Sequence, residues 1–581
     1  MLAASLAVTP FAVMSRPVAG VRNNTLILTL PGSPKGAKEN LQSVIKMLPH
    51  ACQQAAGMDS RTLHSGGTEK LEKDAGIKAG AAASSSHEVS TIKTVHRHDG
   101  HSHDHGPGHG HTHGGHAMPR AHTSPDKRHM SNDPFDGPTK RYRESPYPML
   151  SVEDALSKIS EHTPEPLVTS APVDESLVGS VLAEDVTARE SVPAFRASIV
   201  DGYAIIASTH MMVPSTKGIF PVVGISHAEA GGEVDELRIG EVARITTGAP
   251  LPPGATSVVM VEDTLLRSKT KDGTEENEIE VLTADIVPGE NVREVGSDVQ
   301  SGDVIMKRGE GITVTGGEFG LLASVGTQEV KVYKKPVVGV LSTGDEIIPH
   351  DRAGDLRLGE VRDTNRPTLL TAIRGSGFEA VDLGIASDKP GALEETLRDA
   401  MRRVDVIVTS GGVSMGELDL LKPTIERQLG GTIHFGRVSM KPGKPTTFAT
   451  VPFKSNAGER EAKVIFSLPG NPASAVVTYH LFVLPSLHKM SGISPVGLPK
   501  VKVVLDQDVR CDTKRSEYHR VLLTVNAEGR LSATSTGGQR SSRIGSFKGA
   551  NGLLCLPTTQ PMLEKGETCD ALIMGKIISE L

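Results

Sequence analysis

PVVGVLSTGDE (residues 336–346), VDVIVTSGG (residues 404–412) and AKVIFSLPGNPAS (residues 462–474) follow one pattern: a run of β-branched and apolar residues that stops at glycine, serine or proline. Each reads as a buried strand followed by a tight loop. Between them, RPTLLTAIRGSG (residues 366–377) and GALEETLRDAMRR (residues 391–403) carry apolar residues at helical spacing, and AVDLGIA (residues 380–386) is a further strand. The last run leads into a helix through SAVVTYHLFVLPSLHKM (residues 474–490). Alternating strands and helices predict a parallel sheet covered by helices, an α/β domain over residues 336–495. Ligands of such sheets bind at the carboxyl ends of the strands.

The flanking text is different. SVEDALSKISEHT (residues 151–163) has a serine N-cap, acidic residues in its first turn and apolar positions at helical spacing, so a folded region begins there with a helix. From residue 192 to 332 the chain is strand-like and broken by Gly and Pro (PVVGI, VARITTG, SVVMVED, EIEVLT, QEVKVY), giving a helical and β-rich region over 147–335. After residue 496 short strands resume (KVKVVL, HRVLLTV, GLLCLP, DALIMG), consistent with a small C-terminal β-barrel or sandwich. The expected architecture is therefore multidomain, α/β plus β.

Upstream, residues 57–146 are rich in Gly, Ser, His, Lys, Asp and Pro and cannot bury enough apolar surface to offset their ordering entropy. They read as a disordered linker. HRHDGHSHDHGPGHGHTHGGH (residues 96–116) holds nine of the chain's 22 histidines. Such density binds transition metals, but nothing there fixes a coordination geometry, and low-complexity sequence is the simpler reading. Residues 1–56 contain one strand (TLILTL, residues 25–30), the loop PGSPKG and a helix with Leu41, Val44, Ile45 and Leu48 on one face, too little to enclose a core.

Over 581 residues the net charge is −7, aromatic residues are 3% and Trp is absent, which argues against a polyanion surface or base stacking. Nucleic acid is not an expected partner. Anionic substrates must be held by a few local cations. Four cysteines without C-x-x-C spacing fit a reducing, cytoplasmic compartment, and no run has the ~20 apolar residues of a membrane span.

Three glycine-rich loops lie at predicted strand ends: STGDE (Ser342, Thr343, Gly344, Glu346), TSGGVSMGELD (Ser410, Gly411, Gly412, Ser414, Asp419) and LPGNPAS (Pro469, Gly470, Asn471, Pro472). One such loop is an ordinary βα turn; three in one sheet point to a site whose backbone N–H groups meet a phosphate. GRVSMKPGKPTTF (residues 436–448) holds Arg437, Lys441 and Lys444 in a proline-stiffened stretch suited to a small oxyanion. Asp201, Asp298, Glu346, Asp388 and Asp419 each sit beside glycine or a strand end, as caps do. Converging in space, they would make a Mg²⁺ site.

VDGYA (residues 200–204), RITTGAPLPPGA (residues 244–255), STGDE, TSGGVSMGE, HFGRVSMKPGKPTTFA, LPGNPASAVVTYHLFV, SEYHR (residues 516–520) and STGGQRSSR (residues 535–543) together resemble the E domain of the gephyrin and molybdopterin molybdenumtransferase family. They occur in the family's order and cover nearly all of 147–581. The resemblance implies an enzyme that inserts molybdate into adenylated molybdopterin, with Mg²⁺, releasing molybdenum cofactor and AMP. By the same resemblance Asp201, Thr247, Asp298, Glu346, Asp388 and Asp419 surround pterin and metal, Lys441 joins them in catalysis, and Arg437, Lys444, Arg520 and Ser541 hold oxyanions. Glu346, Asp388 and Asp419 are the implied metal ligands. A homodimer is implied as well.

Residues 1–56 resemble the end of the family's adenylylating G domain, most of which has no counterpart here, so adenylylation is not expected of this chain. The family's scaffold role, anchoring inhibitory receptors through a peptide site with cytoskeletal partners and a membrane-peripheral location, is the alternative. LPTTQPMLEKGE (residues 556–567) lacks the tyrosine of those anchors, leaving Phe220 as one aromatic contact.

Overall fold

A computed structural model describes residues 19–22, 25–28, 41, 48, 52, 145–207, 215–229, 235–387, 391–412, 420–454 and 460–579. The His-rich stretch and most of the helix expected near residues 41–48 lie outside these residues. The chain divides into two units, residues 1–118 and 119–581. In the first, Thr25–Leu28 pairs antiparallel with Ala19–Arg22, a hairpin where the sequence suggested one strand.

The second unit opens with helix α1 (Val152–His162), whose N-cap Ser151 accepts a hydrogen bond from the Asp154 amide. Val168–Pro172 pairs antiparallel with Glu329–Tyr333 over Leu182, Ile312 and Leu322. Between these two strands the chain forms a separate six-stranded sheet from β1 (Gly202–Ile205), β2 (Gly218–Ser226), β3 (Val242–Ile245), β4 (Ser257–Met260), β5 (Thr264–Lys269) and β6 (Glu276–Val281). Its order is β5-β6-β2-β3-β1-β4. Phe220 belongs to its core, packed with Tyr203, Val259 and Ile279.

The α/β portion comprises β7 (Val338–Thr343), α2 (Asn365–Gly375), β8 (Ala380–Ala386), α3 (Ala392–Met401), β9 (Val406–Ser410), β10 (Thr432–Phe435), β11 (Thr447–Lys454) and β12 (Arg460–Leu468). The sheet order is β8-β7-β9-β12-β11-β10. β8, β7, β9 and β12 are parallel, as the alternating pattern predicts. β11 and β10 run antiparallel to their neighbours, so the sheet is mixed. The reason is local: β11 and β12 are separated by only a few residues, and a short connection can join antiparallel strands but not parallel ones.

Alternation along the strands builds two cores. Val338, Val340, Val406, Val408, Val464 and Phe466 face α1 and α2, while Leu341, Ile407 and Ile465 face α3. Helix α4 (Pro472–Thr478) continues through one π turn (Tyr479–Val483) into α5 (Leu484–Met490) and packs on the first face. Phe466, Phe448 and Phe435 form a row of tilted rings in this core, with centroids 4.9 and 5.7 Å apart.

The C-terminal strands β13 (Lys500–Leu505), β14 (Ser516–Val525), β15 (Leu531–Ser535), β16 (Gly552–Leu556) and β17 (Thr568–Ile573) run in the order β14-β15-β13-β17-β16. β16 pairs back onto β14, with Tyr518 opposite Cys555, which closes a five-stranded barrel. The closure removes the exposed edges that an open sandwich would retain.

Phe466 is completely buried at the centre of the aromatic row. Its replacement by Ala loses buried area and leaves a cavity, so Phe466→Ala is expected to destabilise the α/β portion by about 3–5 kcal/mol in denaturant unfolding.

Candidate active site

The parallel register sets the site. Ser342 lies opposite Ser410, and Ser410 opposite Leu468, so β7, β9 and β12 end side by side and release their loops at one edge. Gly411 has φ +95°, and a Cβ there would lie 2.6 Å from the Thr343 carbonyl oxygen. Glycine is required for the two loops to touch. Thr343 Oγ1 donates to the Ser410 carbonyl at 3.4 Å, and the Gly411 amide to the Leu468 carbonyl at 3.2 Å.

Asn365, in the first turn of α2, bridges two of the loops. Its Nδ2 donates to Ser410 Oγ at 2.6 Å and to the Gly470 carbonyl at 2.8 Å. Beneath it Asp363, 2% exposed, accepts from Ser342 Oγ at 2.9 Å, the Arg366 amide at 3.1 Å and Arg366 Nε at 2.8 Å. Arg366 also pairs with Asp382. Asp363, Asn365 and Arg366 escaped the sequence reading. The signal was Asp three residues ahead of a helix-turn amide, the spacing of an N-terminal cap.

A cavity of about 340 Å³ adjoins this loop row. Its wall combines Lys441 and Lys444, the LPGNPAS loop through Pro469 and Asn471, and Arg515, Arg540 and Ser541 of the barrel. Three of these groups, Lys441, Lys444 and Ser541, were expected oxyanion or catalytic residues; Arg515 and Arg540 were missed. Lys441 Nζ donates to Glu517 Oε2 at 3.0 Å. Arg515 donates to Asp512 Oδ2 at 2.8 Å. The Ala473 amide, at the start of α4, donates to the Ser541 carbonyl at 3.0 Å and ties the barrel to the α/β loop.

The other expected residues are distributed elsewhere. Arg437 Nε donates to the Tyr147 carbonyl at 3.0 Å, fastening the segment before α1. Arg520 is wholly buried and donates to Ser546 Oγ at 3.1 Å and to the Tyr518 and Arg540 carbonyls at 3.4 Å. Neither lines the cavity. Asp201 Oδ1 accepts from the Thr247 amide at 2.8 Å and its hydroxyl at 3.3 Å, forming a polar pair on the six-stranded sheet. Asp298 pairs with Arg293. Among the described residues, no hydrogen bond or ion pair joins these three to the α/β loops. Glu346 folds back over Gly344, where a Cβ would run into its carboxylate. Pro472 opens α4. Gly412 packs against Thr343 Oγ1. Asp388, Ser414 and Asp419 lie outside the described residues.

Models of the MoeA N-terminal region (domains I and II), a probable molybdopterin binding domain and the MoeA C-terminal region (domain IV) match residues 150–326, 339–489 and 502–574. A gephyrin of Dictyostelium discoideum is 36% identical over 618 aligned positions, 99% of this chain and 81% of that protein. This chain belongs to the gephyrin and molybdopterin molybdenumtransferase family. A molybdopterin molybdenumtransferase of Haemophilus influenzae is 32% identical and covers 72% of this chain and 97% of its own length. Among solved structures, a molybdopterin biosynthesis MoeA protein of Pyrococcus horikoshii matches with a TM-score of 0.59 at 29% identity, over 74% of this chain and all of that one. The family's fold is thus multidomain, with mixed sheets and a closed barrel near the C-terminus.

Close to the cavity, His519 Nε2 lies 2.7 Å from Ser535 Oγ. Burial, with Arg520 and Lys441 nearby, pushes its imidazole down to about 4. The unfolded chain therefore takes up this proton first, near pH 6.5. The stability contributed by neutral His519 is complete above about pH 6.5 and is lost as pH falls towards 4. Urea unfolding between pH 7 and pH 4.5 is expected to show a smaller loss of stability in His519→Gln than in the wild type.

Proposed function

We propose that this chain is a molybdopterin molybdenumtransferase, taking molybdate and adenylated molybdopterin and yielding molybdenum cofactor and AMP. The observation that carries this reading is the cationic cavity sharing the LPGNPAS loop with the glycine-rich strand ends. A small tetrahedral oxyanion fits beside Lys441, Lys444 and Ser541, and a phosphate-bearing ligand fits the backbone donors of the loop row. Holding the two together replaces a bimolecular encounter by an oriented one. The cations offset charge as the two dithiolene sulfurs bond molybdenum while one molybdate oxygen leaves as water with the two thiol protons, and as water cleaves the phosphoanhydride bond to release AMP.

Arg437 and Arg520 serve this site through the segments they fasten. Asp201 and Thr247 act from the six-stranded sheet, and Asp298 from the segment that follows it, paired with Arg293. We assign a homodimer with its seam near VDGYA, supported by Phe195 and Ile199, which stand 48% and 53% exposed beside Asp201. Functional division follows residues 147–335, 336–495 and 496–581, preceded by a stretch that resembles the end of an adenylylating domain (1–56) and a linker (57–146). The cytoplasm is the proposed compartment, and among the described residues no helix is long and apolar enough to cross a membrane.

Mg²⁺ is the proposed metal, held by Glu346, Asp388 and Asp419. Among the described residues no three His, Cys, Asp or Glu side chains form a metal cluster. Glu346 fits the role: its carboxylate sits at a strand end and has no side-chain partner among the described residues. When bound, the ion would neutralise phosphate charge. The receptor-scaffold alternative is not favoured, because molybdenumtransferases align along almost their whole length.

Single-turnover assay of the full chain with adenylated molybdopterin and molybdate tests the reading, following AMP release and activation of a molybdenum-free apo-enzyme. The wild type is expected to score in both, chelation of Mg²⁺ to stop AMP release, and Lys441→Ala and Asp419→Ala to slow turnover roughly 100-fold or more. A folded wild type that releases no AMP and activates no apo-enzyme sinks the assignment.

A further inference from the structure

Among the described residues, the charges around the cavity do not balance. Lys441 is matched by Glu517 at 3.0 Å, and Arg515 by Asp512 at 2.8 Å. Lys444 and Arg540 have no side-chain hydrogen bond or ion pair among the described residues, although both line the same space of about 340 Å³. Among the described residues, two uncompensated positive charges face a volume suited to a small anion. A tetrahedral dianion would neutralise them; a monoanion would leave one unmet.

Arg540 is also unusually well presented. Gln539 Oε1 accepts from the Arg520 amide at 2.8 Å, and Thr536 Oγ1 donates to the Arg520 carbonyl at 3.1 Å. Arg520, itself buried, donates to the Arg540 carbonyl at 3.4 Å, while the Ser541 carbonyl accepts from Ala473. The backbone is pinned on both sides of Arg540, and the exposed side chain alone remains free to turn towards an anion. A guanidinium keeps its charge across the working pH range and presents paired donors to two oxygens at once.

We propose that Arg540 is an oxyanion-binding residue that gives the cavity its preference for tetrahedral dianions over monoanions. The proposal rests on reading the cavity as the molybdate site, and the chemistry it names is shared by molybdate and by a phosphate dianion. Losing Arg540 leaves Lys444 as the sole uncompensated cation among the described lining residues, so affinity for a dianion falls further than affinity for a monoanion of the same shape.

Calorimetric titration of the full chain with molybdate, inorganic phosphate and perrhenate, a tetrahedral monoanion, tests this in the wild type, Arg540→Gln, Arg540→Lys and Lys441→Ala. Arg540→Gln is expected to weaken molybdate binding by roughly tenfold or more, the scale of one charge-assisted contact, and perrhenate binding by clearly less. Arg540→Lys keeps the charge without the fork and should retain most of the dianion preference. A loss confined to phosphate in Arg540→Gln assigns the residue to the phosphate-bearing substrate; a loss confined to molybdate assigns it to the metal oxyanion. If Arg540→Gln binds all three anions as the wild type does, while Lys441→Ala loses molybdate, Arg540 is outside the site and the proposal is overturned with the cavity reading intact. If the folded wild type binds no molybdate, the cavity reading itself fails and the proposal goes with it.

Discussion

Parallel pairing of β7, β9 and β12 is the constraint on which the rest depends. Parallel strands cannot be joined by tight turns, so the chain must cross over through α2 and α3, and those helices bury both faces of the sheet. The same geometry sends every strand end to one edge. Ser342, Ser410 and Leu468 stand in register there, and the loops that follow have only a few ångströms in which to pass one another. Gly411 against the Thr343 carbonyl is the local result. The site is therefore a product of topology before it is a product of any individual side chain.

Much of this was legible in the sequence because it depended on patterns with a fixed period. Three of the four parallel strands were visible as short apolar runs leading into glycine-rich loops and the fourth as AVDLGIA, and their order along the chain implied the crossovers. Lys441, Lys444, Ser541 and the LPGNPAS loop, separated by up to 100 positions, do share one cavity. The antiparallel strands β10 and β11 were harder, since HFGRVSMKPGKPTTFA contains prolines and glycines that read as loop, and only pairing with β12 makes TTFAT a strand.

The cations show where sequence reasoning stops. TKRSEYHR holds Arg515 and Arg520 five positions apart in similar polar text, yet one lines the cavity and the other is wholly enclosed by the barrel. Which occurs is decided by barrel closure, a non-local event that no short window contains. The Asp363–Arg366–Asp382 group was equally hidden, because its value lies in holding Ser342 from beneath the loop row. Resemblance to a family supplied candidate roles, but it could not distinguish residues that touch an anion from those that hold the residues that do.

The cavity wall is drawn from two portions, the mixed sheet and the closed barrel; the barrel has a core of its own, packs on the sheet through Tyr518 and Leu553, and is tied to it at the rim by Ala473 and Ser541. Neither portion alone possesses the complete wall. An anion bound there would favour the folded state that assembles the wall, and mass action would raise the apparent stability with anion concentration, by about 2.7 kcal/mol at a hundred times the dissociation constant. An oxyanion held there would act as part of the cement between sheet and barrel, and the protein short of oxyanion would be held together less tightly than the protein carrying it.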